Sequence, residues 1–561
     1  MNLNREIQGA SLGPIILALV MALGWLLPNH YKPWNTFHTS AWIAGALLGL
    51  AFWRLAVARE PIRISGAALA LLIAALIPSA QHAVGLQPLR GEVIVNSLYL
   101  AGFAGAFIIG EHWSRQRPGD AAGLVLMAAC IAAVVSVGLQ IYQWLGHATN
   151  PEWRQFWIFP SGTRRPYANL GQPNQLGSLL LWGLLGTAWA WHKRWIRPGV
   201  AIGLAVLILF GVALCESRTA LLTLTLLVVF LTLRRPAFVP RNAARVVQAL
   251  YVWHLVCLFG LEPLNTLMGQ QPELSMFARS AGDLRWSIWR MALDAALERP
   301  WLGYGWNHTN EAYLQVFPRH PQLADAYLEQ SHNLVLDLML WVGIPLAAVL
   351  VLLGSWYLWK LARSVSTMEQ LLTAGALAVL LVHAMLELPL HHGYFLWPFA
   401  LLAGSGAARL QWPSAARLPR TVAVAATVAL ATASAAVVHD YLQVASAFTE
   451  LRFQLMRIGR NHDETPPPTL LLREWTDFIE MSRVPPKAGM TQAQIEHWKD
   501  LLIYNTSPLA FRKVVGAYAL NGHPEQARYW AERSCAVLPP VQCKAVAKEW
   551  MPAEPQAAPQ P

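Results

Sequence analysis

Thirteen apolar stretches, each long enough to cross the roughly 30 Å hydrocarbon core of a bilayer, fill most of the first 440 residues and leave few folds open. They lie near residues 11–27, 40–57, 62–79, 93–110, 121–145, 174–191, 199–215, 217–233, 246–262, 333–359, 370–388, 394–409 and 421–438. A chain with 55% apolar and only 13% charged residues over 561 positions does not fit a soluble domain. The expected fold is all-α: a polytopic membrane protein with about thirteen transmembrane helices. The first stretch is led by a single Arg5 and is followed by no small-residue cleavage site, so it reads as a retained helix rather than a removable signal.

One hydrophilic insert of 68 residues, Pro263 to Gln330, interrupts this pattern and ends in Ser331-His332-Asn333 at the mouth of an apolar stretch. It holds five arginines (Arg279, Arg285, Arg290, Arg299, Arg319) and no lysine. That bias suits bidentate recognition of phosphate or carboxylate. A titratable imidazole follows at the level where water meets lipid, so the combination points to chemistry on an anionic, membrane-borne substrate.

Lysine and arginine in the short loops set the orientation. With the N-terminus inside, the cytoplasmic connections hold eighteen: Arg5, Arg54, Arg59, Arg63, Arg115, Arg117, Lys193, Arg194, Arg197, Arg234, Arg235, Arg241, Arg245, Lys360, Arg363, Arg409, Arg417 and Arg420. The opposite short loops hold six, namely Lys32, Arg90, Arg154, Arg164, Arg165 and Arg218. The insert and everything after residue 439 then lie outside, on the translocated side. The net charge of +11 is mostly this topogenic signature. It forms no continuous basic groove, so nucleic acid is not an expected partner. The 26 tryptophans suit interfacial belts, although Trp286, Trp289, Trp301 and Trp306 near the insert are also placed to stack on sugar rings.

Five expected segments follow: a transmembrane bundle over 1–262, the large loop over 263–330, further transmembrane helices over 331–439, a small helical domain over 440–552 and a disordered Pro/Ala/Gln tail over 553–561. In the fourth, Ala510 through Pro539 looks like one helix-turn-helix unit of tetratricopeptide type. Cys535 and Cys543 share this external region and are candidates for a disulfide in an oxidising compartment. The sequence leaves their geometry open. No Cys/His spacing suits zinc, and the adjacent His391-His392 is poor spacing for a helical metal site.

Three external segments carry candidate site residues. In the first, Arg164-Arg165-Pro166-Tyr167-Ala168-Asn169-Leu170-Gly171-Gln172-Pro173-Asn174-Gln175, glycine and proline mark turns while the amides and arginines supply donors. Asn174 can either bind sugar hydroxyls or cap the following span. The second, Glu216-Ser217-Arg218-Thr219, sets an arginine between two spans, where ionisable residues are costly and functional. Arg218 either holds a lipid-borne phosphate or pairs with Glu216. The third is the helix from Asp283 to Leu297. Arg285 and Arg290 stand five residues apart, about 140° around a helix. Arg285 can face the ligand while Arg290 pairs with Asp294 at i, i+4. His332 either caps or packs at a helix start, or serves as a general base flanked by arginines that stabilise a departing phosphate.

Taken together, YANLGQPNQ opening one span, ESRTA between two spans, LRWSIWRMALDAALERPWLGYG in the external loop and SHNLVLDLMLWVGIP after it resemble the bacterial O-oligosaccharyltransferases of the PglL type. Those enzymes form one superfamily with O-antigen ligases and Wzy polymerases. The resemblance covers residues 1–440 in layout, and the C-terminal region is similar to the extra domain of the PglL branch. It implies that His332 is the catalytic base and that Arg218 and Arg285 bind the diphosphate of an undecaprenyl-diphosphate-linked oligosaccharide. Tyr167, Asn169, Gln172, Asn174 and Gln175, with Arg165 and Arg290, are secondary candidates for substrate binding. His383, Glu387 and His391 in HAMLELPLHHGYF match a later region expected to support the site's geometry. The implied reaction is en bloc transfer to a serine or threonine hydroxyl of a periplasmic, pilin-like acceptor, with inversion and without metal or other cofactor. Ligation to lipid A core sugars and polymerisation of glycan repeats remain alternatives, since both need the same base and anion pocket. A transporter of lipid-linked glycans would place charged or broken helices at the bilayer midplane, often in repeated halves, and no such repeat is evident.

Overall fold

The computed structural model describes residues 12–58, 60–146, 157–160, 165–269, 284–326 and 328–550. Arg5, Arg59, Arg154, Arg164, Arg279 and the tail 553–561 fall outside the described residues.

In chain order the first elements are α1 (Leu12–Leu26), α2 (Phe37–Val57), β1 (Ile62–Ser65), α3 (Gly66–Ala74), α4 (Ile77–Ala83), α5 (Arg90–Gln116) and α6 (Asp120–Trp144). They are followed by α7 (Pro173–His192), α8 (Pro198–Leu214), α9 (Arg218–Leu233), α10 (Arg241–Leu267), α11 (Arg285–Glu298) and α12 (Thr309–Val316). Next come α13 (Leu334–Val342), α14 (Ile344–Arg363), α15 (Met368–Ala384), α16 (Gly393–Ala407), β2 (Ser414–Leu418) and α17 (Arg420–Leu455). The chain ends with α18 (Arg473–Arg483), α19 (Gln492–Tyr504), α20 (Pro508–Leu520), α21 (Pro524–Ser534) and α22 (Pro540–Trp550). The fold is therefore predominantly helical and of membrane-protein character. Among the described residues, seven helical segments are long and apolar enough to cross a membrane: Phe37–Val57, Gly66–Ala83, Arg90–Gln116, Asp120–Trp144, Arg241–Leu267, Leu334–Arg363 and Arg420–Leu455. Four shorter apolar helices accompany them.

Three details differ from expectation. First, β1 and β2 pair antiparallel, with Arg63 opposite Arg417, in a chain read as all-α. The two strands are four and five residues long and some 350 positions apart, so no local pattern announces them. Second, Gly343, at φ 78° and ψ 163°, breaks the stretch expected over 333–359 into α13 and α14. Third, α10 runs through Pro263 to Leu267, past the expected start of the insert, and α17 continues well beyond residue 438.

Chain contacts separate two compact units. The first comprises Met1–Ala75, Tyr99–Asp283 and Gly354–Ser434. Its core buries Trp25, Trp182, Tyr394 and Phe395. The Trp25 and Trp182 indoles have carbonyl partners, Tyr394 O at 3.0 Å and Ala376 O at 2.8 Å. Small residues bring the helices together: a Cβ at Gly186 of α7 would lie 2.1 Å from Leu126 O of α6, the close approach that packs helices in lipid.

The second unit comprises Leu76–Leu98, Leu284–Leu353 and Ala435–Pro561. It holds most of the insert together with the C-terminal helices. Its core runs from Met291, Ala295 and Tyr304 to Phe511, Val515 and Tyr518, and Tyr313 donates to Ala536 O at 3.0 Å. The antiparallel pair α20 and α21 corresponds to the helix-turn-helix read from Ala510 to Pro539. Beside it, Cys535 and Cys543 are bonded, with Cα atoms 5.0 Å apart. Closing this short loop restricts the unfolded chain and is worth about 2 kcal/mol. Cys535→Ser/Cys543→Ser is expected to lower the unfolding midpoint of this domain, and added reductant to lower the wild-type midpoint to match. An unchanged midpoint in both would show that the bond contributes nothing.

Candidate active site

In the second unit His332 occupies a turn with a left-handed backbone, φ 58°, a conformation that costs a non-glycine residue on the order of 1–3 kcal/mol and persists only when its neighbours impose it. Here they do. Asn333 caps α13, accepting from Val335 N at 3.0 Å and Leu336 N at 3.3 Å. The Ser331 hydroxyl donates to Asn333 O at 3.0 Å, and Ser331 N donates to Asp337 Oδ1 at 2.8 Å. Asp337 is itself buried; Thr309 Oγ1 lies 3.4 Å from it and receives Trp341 Nε1 at 2.9 Å. The turn is thus clamped on both sides, and the half-buried His332 ring is presented from a backbone built to hold it.

The loop motif before this turn is fastened to the end of α13. Tyr304 N donates to Leu340 O and Ile344 N to Pro300 O, each at 2.7 Å. Gly303 (φ 69°) and Gly343 (φ 78°) make the approach possible, because a Cβ on either would lie 2.4 Å or less from a backbone oxygen of the other segment. Arg285 is the first residue of α11, which packs against α12 and α13 in this unit.

Arg290 departs from expectation. It lies over the Trp286 ring, 5.2 Å from its centroid, while Asp294, its expected partner, is taken by Arg319 and His320, each at 3.0 Å. Arg319 also holds Glu298, and Arg299 binds Glu311 at 3.1 Å and covers Tyr304. Arg290, Arg299 and Arg319 therefore each have a partner within this unit, which accounts for three of the insert's five arginines without a ligand.

A buried ionic group in this unit was not legible in the sequence. His308 bridges Glu92 at 3.1 Å and Glu311 at 3.0 Å. Burial opposes its charge, but the two carboxylates outweigh that and push the imidazole up to about 10. Glu474 lies nearby, against the first turn of α5: a Cβ at Gly91 would fall 2.1 Å from its Oε2. Burial, with the charges of Glu92 and Asp477, pushes the Glu474 carboxyl up to about 8 against the hydrogen bond from Gly91.

The remaining candidates belong to the first unit, where two of the three sequence segments meet. Arg165 donates through Nε to Cys215 O at 3.1 Å and through Nη2 to Glu216 O at 3.3 Å. It thereby braces the turn that ends in Arg218, the first residue of α9, capped by Ser217. Tyr167 donates to Pro160 O at 2.8 Å. Asn169 donates to Leu26 O and Trp157 O, both at 2.8 Å, and accepts from Phe159 N at 2.9 Å. These are the bonds of a folded turn.

The cap of α7 is Gln172, which accepts from Gln175 N at 2.6 Å, and not Asn174. Pro173 at the first helical position, where no N–H is needed, sets that frame. The amide of Asn174 reaches Glu387 Oε1 at 3.1 Å, and Gln175 accepts from Tyr394 OH. One helical turn on, Ser178 Oγ meets His383 Nδ1 at 2.8 Å. His391 lies in the short 3₁₀ turn Pro389–His391. YANLGQPNQ and HAMLELPLHHGYF, more than 200 residues apart, thus build one polar cluster. Gln140 and Gln143, polar residues inside the apolar α6, were the overlooked signal. Gln140 bonds Pro166 O at 3.1 Å and Gly211 O at 3.2 Å; Gln143 bonds Ala168 O at 2.9 Å.

Comparison with known proteins agrees with the resemblance read from these motifs. A family model described as O-antigen ligase matches residues 203–351, and one described as the C-terminal part of a virulence factor membrane-bound polymerase matches 371–550. A third, described as protein glycosylation ligase, matches 166–191, the segment that opens α7. The chain is 26% identical over 530 residues to a general O-oligosaccharyltransferase of Acinetobacter baylyi, covering 92% of this chain and 90% of the relative. It is 29% identical over 253 residues to a ComP-specific O-oligosaccharyltransferase of the same organism, covering 45% of this chain and 46% of the relative.

Proposed function

We infer that this chain is a PglL-type protein O-oligosaccharyltransferase of the O-antigen ligase and Wzy polymerase superfamily, a glycosyltransferase that moves an oligosaccharide from a lipid carrier to protein hydroxyls. The observation that carries this is similarity along nearly the whole chain to a general O-oligosaccharyltransferase, joined by the protein glycosylation ligase match at 166–191.

In finer detail, the carrier is undecaprenyl diphosphate and the acceptor a serine or threonine of a pilin-like periplasmic protein. The chain spans a bacterial inner membrane about thirteen times with its N-terminus in the cytoplasm, and the loop 263–330 and the domain 440–552 are periplasmic. His332 takes the proton from the acceptor hydroxyl as that oxygen attacks the anomeric carbon. The bond from that carbon to the diphosphate breaks, and the configuration inverts. Arg218 and Arg285 offset the charge growing on the departing lipid diphosphate. Support for these roles comes from the motifs SHN, SRT and LRW and, for His332, from the clamped turn.

Removing one preorganised donor to a developing anion costs about 10²–10³-fold in rate. Arg218→Ala and Arg285→Ala are each expected to lose transfer on that scale, with lysine restoring only part because it keeps the charge but not the fork. Steady-state assays with purified lipid-linked glycan check this; wild-type rates in the alanine variants would remove the arginines from the mechanism.

A second reading, ligation or polymerisation onto glycan, is favoured by the matches at 203–351 and 371–550. Co-expression with a defined lipid-linked glycan and a pilin separates the two. Glycan on lipopolysaccharide but never on protein would overturn the first reading.

A further inference from the structure

Helix α11 carries an exposed stripe that no described residue of its own unit covers. Trp286, Arg290, Leu293 and Leu297 follow at steps of four, three and four residues, which keeps them within about 60° of one another around the helix. Leu297 is 70% exposed and Trp286 62%; Trp301 and Leu302, just past the helix end, are 76% and 60% exposed. The acidic side chains of the helix are paired beside the stripe and stay partly exposed, Asp294 with Arg319 and His320 and Glu298 with Arg319. The stripe itself carries one charged side chain, Arg290, laid on Trp286. Bulky aromatic and leucine side chains with an arginine among them are the composition of a helix lying in a bilayer interface.

The structure says which surface this stripe continues. Pro300 and Trp301 sit on the junction of α13 and α14, through the Ile344 N to Pro300 O bond and the contact of Gly343 with Trp301 O. From there α14 exposes Leu346, Val349 and Leu353 along a segment able to span a membrane. Lys360 and Arg363 mark the other end of that segment. Through Trp301 the α11 stripe therefore runs on from the exposed apolar side of a helix long and apolar enough to cross a membrane.

We propose that the exposed face of α11 lies in the lipid interface of the leaflet holding the donor, its occupant being phospholipid, and that this sets Arg285, in the first turn of the same helix, at the depth of lipid phosphates. The depth-setting role rests on the transferase reading above; the membrane contact does not.

The test places a nitroxide at Leu293→Cys or Leu297→Cys in the full chain, reconstituted in phosphatidylethanolamine/phosphatidylglycerol vesicles, with Gln492→Cys as an aqueous control. Cys130, Cys215 and Cys257 are buried and Cys535–Cys543 is bonded, so labelling is selective. Collisions with oxygen should exceed those with a water-soluble nickel chelate at 293 and 297, and the order should reverse at 492. Chelate collisions dominating at 293 and 297 would overturn the proposal. So would dipolar broadening that vanishes on dilution with unlabelled chain, which would mark a second copy, or lost mobility only when acceptor protein is added. Leu297→Asp should raise the donor KM about tenfold, the scale of one leucine's burial, with kcat retained; an unchanged KM removes the depth-setting role. If the wild-type chain transferred no glycan at all, the transferase reading would fail while the depth measurement stood.

Discussion

Replacing His332 with alanine is expected to lower glycan transfer by about 10²–10⁴-fold, the contribution of a positioned general base, while leaving the protein folded. Fold and chemistry separate cleanly at this position because His332 is half-buried and held at φ 58° by the Asn333 cap, the Ser331 hydroxyl and Asp337. Glycine tolerates that conformation better than any side chain. His332→Gly should therefore match or exceed wild type in thermal stability and be as inactive as His332→Ala. The pair of variants, assayed for transfer and for unfolding midpoint, tells a residue kept for its imidazole from one kept for packing. A glycine variant that retained activity would remove His332 from the reaction.

The second large effect is structural. His308→Ala removes the imidazolium that bridges Glu92 and Glu311 and leaves the buried Glu92 carboxylate without it, while Glu311 keeps Arg299. Breaking a buried pair in this way costs about 3–5 kcal/mol, which should show as a much lower unfolding midpoint of the unit that carries His332. Two titrations then act in one direction. His308 has a folded value of about 10 against 6.5, so its contribution is fully present below pH 6.5 and lost as pH rises through 10. Glu474 has a folded value of about 8 against 4.5; it binds its proton more tightly when folded, so its contribution is present below 4.5 and lost as pH rises through 8. The midpoint should fall steadily from pH 6.5 to 9, and less steeply in Glu474→Gln. A midpoint that rose over this range would contradict both assignments.

These contrasts show what the sequence could and could not disclose. Spans were legible because length and hydropathy are local properties, and the insert because it breaks them. The order among its arginines was only half legible: Arg290 has Asp294 at the right helical spacing, yet Arg319 and His320 approach Asp294 from beyond the helix and take it. Pairings such as His308 with Glu92, 216 residues apart, or Asn174 with Glu387, 213 apart, leave no spacing to read. The left-handed turn at His332 was equally hidden, since Ser-His-Asn announces a cap but not the backbone strain stored beside it. Gln140 and Gln143 did leave a trace, two amides on an otherwise apolar helix, and they anchor the turns that carry Tyr167 and Arg218.

The central claim is that the acceptor is protein and that His332 drives the transfer. The most direct measurement combines purified full-length chain, a defined polyprenyl-diphosphate-linked oligosaccharide and a serine-bearing pilin, followed by intact-mass analysis of the pilin. The account predicts a mass increase equal to the whole oligosaccharide with the wild-type chain and none with His332→Ala. An unmodified pilin with the active wild-type chain, or equal modification by His332→Ala, would contradict it.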